Sequence, residues 1–153
     1  MSFFPDFRIS GSALTAEKTR LDIIAGNIAN MNTTRTEEGG PYKRRTVAFA
    51  EDLAESRNRR MIVQPFVPSH RVSGAYHGQG VRVDRILADH RDPMMVYDPE
   101  HPDAREDGYV LYPNVELAKE MTDMITAQRS YEANVTAVQT AKSLYSKALE
   151  IGR

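Results

Sequence analysis

The sequence predicts an α+β fold in which long N- and C-terminal helices form an antiparallel coiled coil around a small β-rich insert. Three observations predict it. Residues 7–32 and 114–151 carry no proline and repeat apolar side chains every seven positions. The stretch between them holds seven of the eight prolines and most of the glycines. Turn residues divide that stretch into short runs of β-branched and aromatic side chains, which favour strands.

The first helix is expected over Phe7–Asn32. Leu14, Leu21 and Ile28 are spaced by seven, and Ile24 and Met31 fall on the companion positions, with Glu17 the one polar member. Such spacing places these residues along one stripe of a helix. Ser10 or Ser12 is the candidate cap at the start, and Asn30 or Asn32 the candidate stop. Gly26 costs about 1 kcal/mol relative to alanine inside a helix, which suggests close approach by a neighbour.

The insert is expected to contain strands at Tyr42–Ala50, Met61–Val67, Val81–Leu87, Met94–Tyr97 and Tyr109–Tyr112. Glu51–Arg60 reads as a short helix or a loop. The last helix is expected over Asn114–Ile151, with Asn114 as its cap. Leu117, Met124, Tyr131, Val138 and Tyr145 recur every seven residues, and Met121, Val135 and Leu149 fill the second heptad position. Residues 1–33 and 114–153 thus read as one helical part and 34–113 as the insert. A helix of about 38 residues is about 57 Å long and overhangs one of about 26 residues by about 18 Å. A hairpin of two such helices leaves apolar stripe uncovered, so other chains are expected to cover it. A monomeric antiparallel coiled coil is the competing reading.

Composition narrows the function. The 153 residues include 20 basic and 21 acidic side chains, for a net charge of -1, which disfavours nucleic acid as a partner. Cysteine is absent, so disulfides, thiolate metal sites and cysteine nucleophiles are excluded. There is no run of 18 apolar residues to span a membrane. The start, Met1 to Asp6, lacks the basic and apolar regions of a cleavable signal, so any passage out of the cytoplasm is expected to use another route.

No nucleophile elbow, phosphate-binding loop or EF-hand spacing is present. Asp98, His101 and Asp103 are the one set of side chains that would suit a divalent metal, although Asp-Pro, His-Pro and Asp-Gly pairs also make turns. The insert is electrically lopsided. Lys43–Arg60 has six basic and three acidic residues, whereas Asp89–Asp107 has two basic and seven acidic. Solvated surface is one reading, and charge matching between neighbouring subunits is the other.

Specific motifs go further. Ala13 to Asn30, with Asn27-Ile28-Ala29-Asn30 its most recognisable piece, resembles the N-terminal signature of the flagellar axial proteins of the rod and hook. Glu120 to Asn134 resembles the C-terminal motif of that family. Val96 to Ala104 and Gly108 to Val115 are similar to its proximal rod members. The resemblance implies a subunit of the periplasm-spanning drive shaft, stacked helically, with terminal helices forming the inner tube and the insert outside. It implies export by the flagellar type III apparatus. The implied partners are other proximal rod proteins, the rod–MS-ring junction protein and further copies of itself, and neither enzymatic activity nor a cofactor is implied. Asn27, Asn30, Arg129, Tyr131 and Asn134 are the motif members carried over. With the heptad residues they make up the expected assembly interface. Two rival readings remain: a metal-dependent enzyme built on Asp98, His101 and Asp103, and a cytoplasmic coiled-coil adaptor.

Overall fold

The computed structural model describes residues 4–52 and 80–151, with side chains described from Phe7 onward. Within these residues the chain is an α+β protein with two long helices and two small antiparallel sheets. The order is α1 (Phe4–Ala29), β1 (Arg45–Glu51), β2 (Val81–Ala88), β3 (Met94–Tyr97), β4 (Tyr109–Tyr112) and α2 (Leu117–Ile151). The expected strand at Met61–Val67 and the expected helix or loop at Glu51–Arg60 lie largely or wholly outside the described residues.

Helix α1 begins earlier than expected. Pro5 sits in its first turn, where a residue without an N–H forfeits no hydrogen bond. Ser10 and Ser12 are therefore interior residues and not caps. Asn30 ends the helix as expected: its side-chain amide donates to the Gly26 carbonyl at 2.9 Å, and its Oδ1 accepts the Thr33 hydroxyl at 3.2 Å. Helix α2 begins three residues later than expected. Asn114 is not its cap, because it lies three residues before the first helical residue; its amide donates to the Asp92 carbonyl at 3.4 Å.

Strands β1 and β2 pair from Arg45↔Ala88 to Glu51↔Val81, with a shift of register at Ala48/Phe49. Asp84 is the extra residue, a β-bulge. The apolar alternation of β2 breaks between Val83 and Ile86, and the bulge repairs it by returning Ile86 to the face of Val83. Strands β3 and β4 pair from Met94↔Tyr112 to Tyr97↔Tyr109, and Gly108, at φ 74°, closes the long turn between them.

Helix α1 packs against both α2 and the β1–β2 ribbon. Its two attachments to the ribbon lie at Asn27 and Ser12. Asn27 bonds to the backbone of Arg45, while the Ser12 Oγ accepts the Val81 N–H at 3.0 Å and donates to the Ile9 carbonyl at 2.7 Å. The lengths match: fifteen helical residues rise about 22 Å, and the six steps of β1 span about 20 Å. Gly80, next to Val81, has φ 115°, and a Cβ there would run into Ser12. Glycine is thus required where β2 meets the helix.

The apolar core is thin. Among the described residues Ala16, Ile24, Val110 and Ala127 are the buried apolar side chains. Two of the four are alanines on facing helices, where small side chains let the helix axes come close.

Candidate assembly site

Two of the fully buried side chains among the described residues are polar. Asn27 and Glu120 are both fully enclosed. They meet where the last turn of α1 lies beside the first turn of α2. The Asn27 amide donates to Glu120 Oε2 at 3.0 Å and to the Arg45 carbonyl at 2.8 Å. Its Oδ1 accepts the Arg45 N–H at 2.9 Å and the Tyr42 hydroxyl at 3.0 Å. Two donors and two acceptors are all used, so the group is satisfied away from water. The other Glu120 oxygen accepts Arg44 Nε at 2.6 Å, and Arg44 Nη2 reaches Asp123 at 3.4 Å.

This joint ties α1, the strand entering the insert and α2 together with directional bonds. A buried charge is tolerated only when paired and hydrogen-bonded, and both conditions are met. Tyr42 titrates above the ordinary tyrosine value, chiefly because burial disfavours the phenolate; nearby Arg45 opposes that shift and Glu120 adds to it. Beyond the joint, Arg91 clasps Asp89 with both a backbone and side-chain N–H groups. Those hydrogen bonds hold the Asp89 carboxyl down at about 2. The clasp fixes the turn between β2 and β3.

The residues expected to form the interface divide into three sets. Ile24 and Asn27 are buried within the chain, Asn27 in bonds to its own insert and α2. Leu14, Leu21, Ile28, Asn30 and Met31 on α1, and Met124, Tyr131, Asn134, Val135 and Val138 on α2, are half-buried. Leu117, Met121, Arg129, Tyr145 and Leu149 are exposed. The face α2 turns inward is rotated part-way from the expected stripe: it keeps Met124, Tyr131 and Val138 but pairs them with Glu120, Ala127, Asn134 and Ala141 in place of Met121 and Leu149. Glu120, Ala127 and Ala141, polar or small, escaped a search for large apolar side chains. Tyr42, Arg44, Glu120 and Asp123 were missed as candidates. Glu120 lies four and seven residues before Met124 and Ala127, on one helical stripe, and that spacing was the available signal.

The rotation leaves large apolar groups uncovered. Leu117, Met121 and Ile125 are exposed at successive fourth positions of α2, Met121 at 53%. Every residue from Lys142 to Ile151 is exposed, including Leu144, Tyr145 and Leu149. Among the described residues nothing beyond its own stretch of helix lies within 4 Å of where a Cβ on Gly26 would sit, so none of them makes the close approach expected there.

The side chains expected of a metal site are engaged otherwise. Asp103 Oδ2 accepts the Thr34 hydroxyl at 2.7 Å, and His101 Nδ1 accepts the Asp103 N–H at 3.1 Å. They pin the β3–β4 turn to the loop after α1. No group of three His, Asp or Glu side chains converges among the described residues. No described helix is long and apolar enough to cross a membrane.

Comparisons with known proteins fall on the two halves of the helical joint. Residues 7–35, which hold Asn27, match the family described as "Flagella basal body rod protein". Residues 106–151, which hold Glu120, match the one described as "Flagellar basal body rod FlgEFG protein C-terminal". The class is that of flagellar basal-body rod proteins, whose two terminal segments this chain brings together as α1 and α2. Full-length likeness narrows it. The "Flagellar basal-body rod protein FlgC" of Borreliella burgdorferi is 42% identical over 155 aligned positions, covering 99% of this chain and 98% of the relative. That of Bacillus subtilis is 42% identical over the whole of both chains, and that of Salmonella typhimurium 33%. The chain belongs to the FlgC family. It is a structural rod protein of the flagellar basal body and not an enzyme.

Proposed function

We propose that the chain is a subunit of the proximal rod, polymerising helically into the periplasm-spanning shaft that transmits torque and surrounds the export channel. In this reading the chain divides into residues 1–33 with 114–153, and 34–113. The first part is a coiled-coil wall facing the inner tube, and the second lies outside. The partners are further copies of itself, the other proximal rod proteins and the rod–MS-ring junction protein. The flagellar type III apparatus exports it without a cleaved signal.

The observation that carries this reading is the uncovered apolar edge of α2. That helix has 35 residues against 26 in α1, an excess of about 13 Å. Its exposed Leu117, Met121 and Ile125 lie beside the joint, and Leu144, Leu149 and Ile151 lie on the overhang. Covering a half-exposed Met or Ile is worth roughly 1 kcal/mol. Six such residues on each subunit supply enough for assembly once several neighbours share the helix. The joint complements the edge: torque passed from helix to insert needs a stiff connection, and the Arg44–Glu120 pair and Asn27 provide one.

The test is Met121→Asp in a strain lacking the native gene. Met121 is exposed, so the purified variant is expected to keep its helicity and melting temperature while failing to enter basal bodies. A motile strain with normal basal bodies would remove this edge from the interface. Leu21→Asp and Val135→Asp are also expected to abolish assembly, but both residues are half-buried and damage the monomer too.

A further inference from the structure

The β3–β4 hairpin buries Val110 of β4 but leaves β3 open. Its strands contact each other and no other described helix or strand. All four residues of β3 are exposed, Met95 at 69% and Tyr97 at 64%. Because successive residues of a strand point to opposite faces, Met95 and Tyr97 share the open face, and Val96 lies on the other with its buried partner Val110. A lone two-stranded ribbon is marginal in water, so such a strand calls for a covering surface. Yet the hairpin is rigidly built. Tyr97 stacks edge-on against Tyr109 at 5.2 Å, and Asp103 fastens the turn to Thr34.

Its charge is one-sided. The turn, Asp98–Gly108, carries five acidic residues and one basic. The β1–β2 ribbon has the opposite character. Lys43, Arg45, Arg82 and Arg85 are exposed on it or at its end against Asp84 and Glu51, with Asp84 serving both Arg82 at 3.8 Å and Arg85 at 3.4 Å. Leu87 is exposed on the face of Arg82 and Arg85, at 44%. Within one chain the two surfaces do not meet, although only residues 89–93 separate β2 from β3.

We propose that the β3–β4 hairpin docks on the β1–β2 ribbon of a second copy of this chain, Met95 and Tyr97 of β3 covering the exposed Leu87 while the acidic turn meets Arg82 and Arg85 on the same face. Like surfaces repel: two hairpins bring acidic turns together, and two ribbons bring arginines together. Only hairpin-on-ribbon contact is favourable in charge, and a contact between unlike patches propagates from copy to copy where a two-fold contact closes. The proposal rests on the polymer reading above and adds to it a lateral contact away from the helices.

The test uses the absence of cysteine from the chain. The double variant Met95→Cys with Leu87→Cys is expressed in a strain lacking the native gene, and its basal bodies are purified and oxidised with copper–phenanthroline. A ladder of disulfide-linked subunits is expected from the double variant and from neither single one, since a disulfide needs Cα atoms within about 7 Å. Met95→Cys with Lys119→Cys, which places the second thiol on α2, is expected to give none. Basal bodies that contain the double variant without a ladder would overturn the docking and leave the polymer reading standing. Closure within one subunit, or linkage to a different rod protein, would also overturn it. Charge reversal covers the case in which the cysteine variant fails to assemble. Glu100→Lys with Glu106→Lys is expected to cut swimming at least tenfold, and adding Arg82→Glu with Arg85→Glu to restore it. No restoration would refute the pairing.

Discussion

Replacing Asn27 with aspartate tests the polar joint by changing one amide nitrogen to oxygen. In the native chain that nitrogen donates to Glu120 Oε2 at 3.0 Å and to the Arg45 carbonyl at 2.8 Å. Asn27→Asp removes both donations and sets a second carboxylate against a fully buried one. Two unit charges 3 Å apart repel by about 5 kcal/mol at an effective dielectric constant of about 20. The lost hydrogen bonds add about 1 kcal/mol for the carbonyl and about 2 for the charged acceptor. Arg44 offsets part of this, but it already serves Glu120 and Asp123. A net loss of about 4–6 kcal/mol rivals the whole stability of many domains. Protonation relieves it, because a neutral carboxyl again donates to Glu120. Burial and the neighbouring charge raise the folded-state pKa of the introduced group above its unfolded value of about 4. Stability is then fully retained below that unfolded value and lost as pH rises through the folded one. Urea unfolding of the full chain, followed by circular dichroism at neutral and mildly acidic pH, measures this. The variant is expected to be largely unfolded at neutral pH and to regain structure on acidification. A variant within about 0.5 kcal/mol of the native chain at neutral pH, or one whose stability rises with pH across that interval, would refute the joint.

Three further outcomes follow from single positions. Gly80→Ala meets both a left-handed backbone and the Ser12 side chain, so it is expected to cost about 2 kcal/mol in urea unfolding; unchanged stability would deny the ribbon's attachment to α1. Gly26→Ala meets open space and is expected to stabilise the isolated chain by about 1 kcal/mol; reduced basal-body incorporation alongside that gain would place a neighbouring subunit at this glycine, and a destabilised monomer would contradict the open geometry. Tyr42, whose folded pKa lies above the ordinary tyrosine value of about 10, contributes stability that is complete below that value and is lost as pH rises through the folded pKa. Tyr42→Phe is expected to lower stability by about 1 kcal/mol at neutral pH, and to remove a phenol that ionises above the ordinary tyrosine value in an ultraviolet titration; loss of an early-titrating phenol instead would place Tyr42 outside the buried network.

The sequence by itself determined the plan of the chain. Proline-free, heptad-patterned segments at both ends announce long helices because each residue reports on its neighbours three and four positions away. Met94–Tyr97 and Tyr109–Tyr112 were legible as strands, bounded by turn residues, for the same local reason. The motifs around Asn27-Ile28-Ala29-Asn30 and Glu120 to Asn134 named the family. Which residues complete the packing face of α2 was settled only in the folded chain. The apolar pattern pointed to Met124, Tyr131 and Val138 with Met121 and Leu149 beside them, whereas the folded chain keeps the first three inward and sets Glu120, Ala127 and Asn134 beside them. Periodicity places side chains on one stripe of a helix but does not say which stripe faces which partner. Arg44 likewise stood in a basic cluster with no mark separating it from Lys43 or Arg45. A buried ion pair joins residues 76 positions apart, and its worth comes from exclusion of water, which exists only once α1, the start of the insert and α2 have closed around Glu120.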